Sequence, residues 1–310
     1  MKIVFFGTPE FAVPTLNAIN NSSYQVIKVV TTPDKRSGRG MKLKCSKIKE
    51  FSNSINLSTL EPRNLDSQQF IEQIKHCNPD IFVIVAFKKL SDVLINIPKY
   101  GAINLHASLL PKYRGAAPVQ HAIMNGEEHT GVTTFFINNK IDSGDILYQD
   151  SIKIKNTDNS EIILNKLSNL GADLILKTLD GIKFKRIKPK IQDNSIKSFA
   201  PKILIDKHCR IDWNMPAFNI HNLIRAFSPN PGAFTYLNNK RIKLFNSIIN
   251  TNLGKSNLKP GQIAIYKEYI NIGTLKGSVL IKEIQYEGKK RITANEFING
   301  YPYFIGEKFE

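Results

Sequence analysis

At 310 residues the chain is long enough for two domains that each bury a core. Its three cysteines, Cys45, Cys77 and Cys209, are too scattered for a CxxC zinc or redox motif or a disulfide framework, which suits a reducing cytosol. A formal net charge of +17, from 43 Lys plus Arg against 26 Asp plus Glu, draws a protein towards phosphate-rich partners; a composition rich in Lys, Asn and Ile throughout produces such a charge without any partner, so its distribution has to decide.

The opening MKIVFFGTPEFAVP has a lysine before apolar residues, as signal peptides do, but Pro9 and Glu10 break the run and it reads as a first strand. No apolar run approaches the roughly 20 residues that span a bilayer, so a soluble, cytoplasmic protein without a membrane partner is expected. Residues 2–6 form the strand, ended by Gly7, and residues 11–19 place their apolar positions on one helical face. The alternation continues with a strand at 25–31, an amphipathic helix at 67–77 and a buried strand at 81–87. Strands at 102–105 and 132–137 enclose a helix at 118–124, and Asp158 or Asn159 caps a long helix that reaches about Leu179, with a break expected at Gly171.

This pattern predicts an α/β domain with a Rossmann-like, doubly wound, mostly parallel sheet. From Gly181 the texture changes to GIKFKRIKPKIQDNSIKSFAPK, which is basic, carries two prolines and lacks a period, as a linker does. Beyond it come a helix at 217–227 and short strands at 234–237, 242–249, 262–266, 269–273 and 279–286, a spacing that suggests a small OB-like antiparallel barrel. The expected division is a catalytic domain at 1–181, a basic linker at 182–202 and a barrel domain at 203–310.

A Rossmann-like sheet is not evidence for a nucleotide. The turn after the first strand reads GTPEFA rather than GxGxxG, SGRGMK lacks the third glycine, and no GxxxxGK[ST] is present, so function has to be argued from a site. The informative segment is GAINLHASLLPKYRGAAPVQHAIMNG at 101–126. Asn104 and His106 are two apart on a strand and therefore project from one face at its carboxyl end, where open parallel sheets bind ligands. Asp142, in KIDSGDIL, occupies a polar turn between two strand-like runs, where an acid is simply solvated unless the fold brings it to the site.

The runs NLHASLLPKYRGAAP and IDSGDIL resemble those of the folate-dependent formyltransferases, and GTPEFAVP, PDKRSGRGMKLK, APKI and RIDW extend the resemblance over both domains, to the branch of that family that acts on aminoacylated tRNA. The resemblance implies transfer of the formyl group of 10-formyltetrahydrofolate to the α-amino group of methionyl initiator tRNA, for translation initiation. It implies that Asn104, His106 and Asp142 are catalytic and that Ser108, Leu109, Leu110 and Pro111 lie at the folate site. Attack of an amine on a formyl carbon creates an oxyanion, which Asn104 and a ring N–H of His106 could meet; Asp142 would orient the imidazole, favour its protonated form and help move the proton. No metal is expected, because the remaining histidines are scattered, and a monomer is expected. Two positions depart from the pattern: Lys88 stands where many relatives have Gly, and Met124 where Trp often precedes the NG turn.

The segment DKRSGRGMKLKCSKIK at 34–49 carries Lys35, Arg36, Arg39, Lys42, Lys44, Lys47 and Lys49 against one acid. On its own this is a solvated basic loop; the resemblance implies that it enters the acceptor stem with Arg39. By their charge Arg36, Lys42 and Lys44, with Lys185 and Lys188 of the linker, are expected as further tRNA contacts, the barrel domain at 203–310 being tRNA-binding too. Sugar-nucleotide amine formyltransferases share NxH and SLLP but have no need of the basic loop. A nucleic-acid-binding module on a silent scaffold would not need Asn104, His106 and Asp142 together. Phosphoribosyl-glycinamide formyltransferases are shorter and lack the barrel. Trp213 in RIDW is expected to pack rather than to stack on a base.

Overall fold

The computed structural model describes residues 1–37, 41–251 and 258–310. The chain divides into two units, the first comprising Met1–Pro118, His129–Lys153 and Leu164–Ala200, the second Val119–Glu128, Ile154–Ile163 and Pro201–Glu310.

The opening apolar run is β1 (Lys2–Gly7), buried from Ile3 onwards because both its faces are covered. Val4 and Phe6 join a cluster with Val30, Phe70, Ile74, Phe82 and Ile84, while the alternate Ile3 and Phe5 are buried as well. Each large side chain so buried contributes about 1.5–3 kcal/mol. Then follow α1 (Val13–Asn20), β2 (Gln25–Val30), the short strands β3 (Lys35–Ser37) and β4 (Lys42–Lys44), α2 (Lys47–Ser54), β5 (Thr59–Leu60), α3 (Gln68–His76), β6 (Ile81–Val85), α4 (Asp92–Ile95) and β7 (Ala102–His106). Ser46 and Ser67 start α2 and α3 by accepting from the backbone N–H groups of Lys49 and Phe70. After β8 (Arg114–Gly115) and α5 (Pro118–Met124) come β9 (His129–Phe136), β10 (Ile146–Lys153), α6 (Ser160–Lys183) and β11 (Phe199–Ala200).

The main sheet has the order β10-β9-β7-β6-β1-β2-β5. The five strands from β7 to β5 are parallel, and β9 and β10 extend the sheet antiparallel. The chain winds from β1 out to β5, then returns to β6 on the other side of β1, so the switch point and its ligand crevice lie at the carboxyl ends of β1 and β6, beside β7.

Two placements in this unit differ from the sequence expectation. Asn159 caps α6 by accepting from the Ile162 N–H, but the helix has no break at Gly171. Glycine is there for close approach: a Cβ at Gly171 would come within 2.5 Å of the Leu105 side chain of β7. Residues 182–202 are likewise no free crossing, since as far as Ala200 they fold onto the first unit. Lys190 and Ile146 exchange two backbone hydrogen bonds of 2.8 Å, β11 lies parallel to β8, and Gln192 is only 3% exposed.

In the second unit α7 (Ile205–His208) and α8 (Ala217–Ala226) precede an antiparallel sheet. Its strands are β12 (Ala233–Leu237), β13 (Lys240–Ile249), β14 (Ile263–Tyr266), β15 (Tyr269–Gly273), β16 (Ser278–Tyr286) and β17 (Arg291–Thr293), followed by α9 (Ala294–Gly300). The order is β12-β13-β16-β15-β14, with β17 on β16. Backbone bonds from 306–310 reach Ile263 and Gly261 at the β14 end and Tyr236 on β12, tying the two outer edges together. Trp213 packs as expected: it is buried, stacks on Phe309 and donates to the Thr235 hydroxyl at 3.0 Å. Met124 is half-buried against the same core, and Lys88 in the first unit is exposed.

His221 sits inside the second unit, with Nε2 donating to the Asn156 carbonyl at 3.0 Å and Nδ1 accepting from the Ser247 hydroxyl at 2.9 Å. Burial holds its proton affinity below the ordinary value, and the neighbouring Arg225 cation acts the same way, against the Asn156 hydrogen bond. In the folded chain the neutral ring is favoured, whereas in the unfolded chain the ring takes up a proton near pH 6.5. Stability from this group is therefore full above about pH 6.5 and is lost as the pH falls below it. The native thermal midpoint should drop more between pH 7 and pH 5 than that of His221→Gln; equal drops would exclude His221 as a source.

Candidate active site

β7 carries Asn104 and His106 on one face at its carboxyl end. Asn104 lies opposite Ile84 on β6 and Phe135 on β9, and His106 opposite Thr133. The Asn104 Oδ1 is buried and has no hydrogen-bond partner among the described residues, the condition of a polar group that awaits a donor from elsewhere.

Asp142 arrives from the turn between β9 and β10. Its backbone has a φ of +49°, a region that Asp tolerates better than most residues. The turn also needs Gly144, where a Cβ would run into the Phe136 carbonyl. One carboxylate oxygen accepts from the Gly115 N–H at 2.9 Å and lies 3.7 Å from His106 Nδ1, with the two side chains only 14% and 8% exposed. His106 Nε2 is 2.9 Å from the Tyr113 carbonyl, so that nitrogen bears a proton and donates, which directs Nδ1 at Asp142. The fold thus brings Asp142 to His106, which stands two residues from Asn104 on β7, and the acid is not simply solvated.

The run Ser108–Leu109–Leu110–Pro111 leaves β7 as a tightly tied turn. Thr133, fully buried on β9, donates to the Ser108 carbonyl at 2.6 Å and accepts from the Leu110 N–H at 3.1 Å. Gln149 donates to the Leu110 carbonyl and to Thr133 Oγ1, both at 2.9 Å, and the Ser108 hydroxyl donates to the Lys112 carbonyl at 2.7 Å. Leu110 is buried with Phe135 and Ile146, whereas Leu109 and Pro111 keep part of their surface in the open.

Sequence reasoning did not single out Arg114, Thr133 or Gln192. Thr133 could have been suspected, because a strand residue facing His106 from the neighbouring strand is a natural support; Gln192 carried no signal within a segment that reads as unstructured.

Among the expected tRNA contacts, Arg36 and Lys44 lie exposed on the antiparallel pair β3 and β4, with Lys35 directly opposite Lys44. Lys42 stands opposite Ser37, and Arg39 lies outside the described residues. Lys185 and Lys188 are exposed. Lys49 is engaged otherwise, with Asp34 at 2.9 Å and Glu61 at 2.8 Å holding its ammonium at the base of the β3–β4 segment.

Residues 1–179 match the family described as Formyl transferase, and residues 204–302 match Formyl transferase, C-terminal domain. A methionyl-tRNA formyltransferase of Thermodesulfovibrio yellowstonii is 44% identical over 96% of this chain and 95% of its own. One from Caldanaerobacter subterraneus subsp. tengcongensis is 39% identical over 97% of each chain. Solved structures share the fold: WlaRD, a sugar 3N-formyl transferase solved in the presence of dTDP and 5-N-formyl-THF, gives a TM-score of 0.69 at 22% identity over 94% of this chain and 99% of that one. HypX from Aquifex aeolicus in complex with tetrahydrofolic acid gives 0.64 at 18% identity over 98% of this chain, which spans about half of HypX (48%). With the two family matches following one another along the chain and relatives at this identity aligned over nearly their whole length, the chain belongs to the methionyl-tRNA formyltransferases of the formyl transferase family.

Proposed function

We propose that this enzyme moves the formyl group of 10-formyltetrahydrofolate onto the α-amino group of methionyl initiator tRNA, at the carboxyl end of β7, in the cytoplasm. The observation that carries the reading is the meeting of His106 with Asp142 beside an Asn104 whose buried Oδ1 has no partner. Attack of the neutral amine forms a new C–N bond, and collapse of the tetrahedral intermediate breaks the bond from the formyl carbon to the folate nitrogen. The proton leaves the attacking amine and ends on that folate nitrogen.

Asn104 meets the reacting centre with an amide whose Oδ1 has no partner among the described residues, accepting from the amine through Oδ1 or donating to the oxyanion through its NH₂. Asp142 orients the imidazole, and His106 relays the proton. The tied turn from Ser108 to Pro111 presents the edges of Leu109 and Pro111 to the folate as a preformed wall. Incubating the protein with 10-formyltetrahydrofolate and methionyl initiator tRNA should give formylmethionine on the tRNA; none formed would refute the reading.

The segment β3–β4 supplies tRNA contacts. Lys35 and Lys44 face each other across the strand pair, a like-charge arrangement that costs stability unless a polyanion covers it. Arg36 is exposed on the same strand pair, and Lys185 and Lys188 are exposed elsewhere in the first unit; with Arg39 and Lys42 they are the further residues assigned to the tRNA. Arg36→Glu combined with Lys44→Glu should raise KM for the tRNA and lower the slope of log affinity against log salt by about 2, one for each phosphate that is no longer neutralised. Folate binding should be unchanged; an unaltered salt slope would remove this segment from the interface.

A further inference from the structure

Gln192 is the most deeply buried polar side chain of the basic segment, and it reaches the acid turn from 50 residues away. Its Nε2 donates to the Asp142 carbonyl at 3.0 Å and to the Gly144 carbonyl at 2.7 Å. Its Oε1 accepts from Arg114 Nε at 3.0 Å and Nη2 at 2.7 Å, and Arg114 Nη2 also donates to Asn194 Oδ1 at 3.2 Å. The amide orientation is fixed by chemistry: reversed, it would set an NH₂ against a guanidinium and an oxygen against two carbonyls. Arg114 itself precedes Gly115, whose N–H holds the Asp142 carboxylate.

The Asp142 turn is therefore gripped on both sides by one network, the carboxylate by Gly115 and the backbone by Gln192, with Arg114 linking the two grips. We propose that Gln192 is a positioning residue, which locks the Asp142 turn so that its carboxylate stays at His106. Only a side chain of this length with a donor and an acceptor at its end fills the place. Glutamate would keep the Arg114 contact but set a negative oxygen against the two turn carbonyls, and leucine would leave Arg114 with Asn194 alone and take the Gln192 donor from both carbonyls.

The inference rests on the proposed role of Asp142, so its test has one arm that requires no catalysis. In Gln192→Glu and Gln192→Leu, the Gly115 amide should exchange with solvent roughly 10-fold or more faster than in the native protein, because local opening of the turn releases its carboxylate acceptor. In formyl transfer, kcat should fall roughly 10- to 100-fold, the usual cost of misplacing a catalytic group by about 1 Å. KM for folate and tRNA should stay within about two-fold of native, since the turn is assigned to the reacting centre and not to binding. Because Gln192 acts through Asp142, adding Gln192→Glu to Asp142→Asn should cost little beyond Asp142→Asn alone.

Native exchange at Gly115 in both variants would overturn the proposal, whether or not the protein transfers formyl groups. Fast exchange with native kcat would overturn the catalytic part of it. If the native protein transferred no formyl group, the proposed function would fail while the exchange arm still decided whether Gln192 holds the turn. Should Gln192→Leu not fold, Gln192→Glu, which keeps the volume and the Arg114 contact, carries the same comparisons.

Discussion

Alanine at His106 or Asp142 is expected to lower formyl transfer by roughly 10² or more, the usual loss for a missing member of a hydrogen-bonded catalytic set. His106→Ala removes the ring that faces Asp142 and leaves the Tyr113 carbonyl without its 2.9 Å donor. Asp142→Ala releases both the imidazole and the Gly115 N–H. Asn104→Ala should lose activity to a similar extent with the opposite effect on the fold. Its Oδ1 is buried without a partner, so deleting it removes a desolvated acceptor and should leave the thermal midpoint unchanged or raised. Single-turnover transfer with thermal melting separates these outcomes. Native rates in His106→Ala would remove the histidine from the mechanism, and a large loss of stability in Asn104→Ala would show that the amide is structural.

A chain cut after Gly181 is expected not to recover the native first unit, although the sequence reads as if the catalytic domain ended there. The removed residues include Lys190, paired with Ile146, and Ser198, whose hydroxyl and carbonyl accept from the backbone N–H groups of Tyr113 and Arg114. They also include Ala200, whose carbonyl accepts from the Ala117 N–H, and Gln192. Hydrogen bonds to a charged group are worth about 1.5–3 kcal/mol each, and Arg114 would lose those to Gln192 and Asn194 together. Set against a total stability of about 5–15 kcal/mol, that loss and the backbone bonds remove most of the margin. Thermal unfolding followed by circular dichroism decides it: a cooperative transition within a few degrees of the full chain would show that residues 182–200 are dispensable.

The main sheet was legible because its strands are buried on both faces, so that 2–6 and 81–87 read as unbroken apolar runs with amphipathic helices between them. Asn104 and His106 were legible by their spacing of two, and Asp142 only through the resemblance of the DSGD turn. The β3–β4 pair was not, because three-residue strands of lysine, arginine and serine carry no apolar alternation. Gly171 was misread since a glycine inside a helical pattern is the same letter whether it ends the helix or makes room for Leu105. Gln192 was invisible for a deeper reason: its partners are two backbone carbonyls and a guanidinium, and the sequence records no pairing with a carbonyl.

The second unit is assembled from three separate stretches of chain, and this sets an order on its birth. Val119–Glu128 and Ile154–Ile163 are synthesised before any residue of Pro201–Glu310 exists. His221 follows its acceptor, Asn156, by 65 residues, and Ser228, whose carbonyl accepts from the Ser160 hydroxyl, follows Ser160 by 68. At roughly 5–20 residues per second, the stretch Ile154–Ile163 waits about 3 to 14 seconds for these partners during synthesis. Slower decoding between 163 and 221 would lengthen that wait, so codon choice in this interval should alter the yield of folded protein more than the same change placed after Phe234.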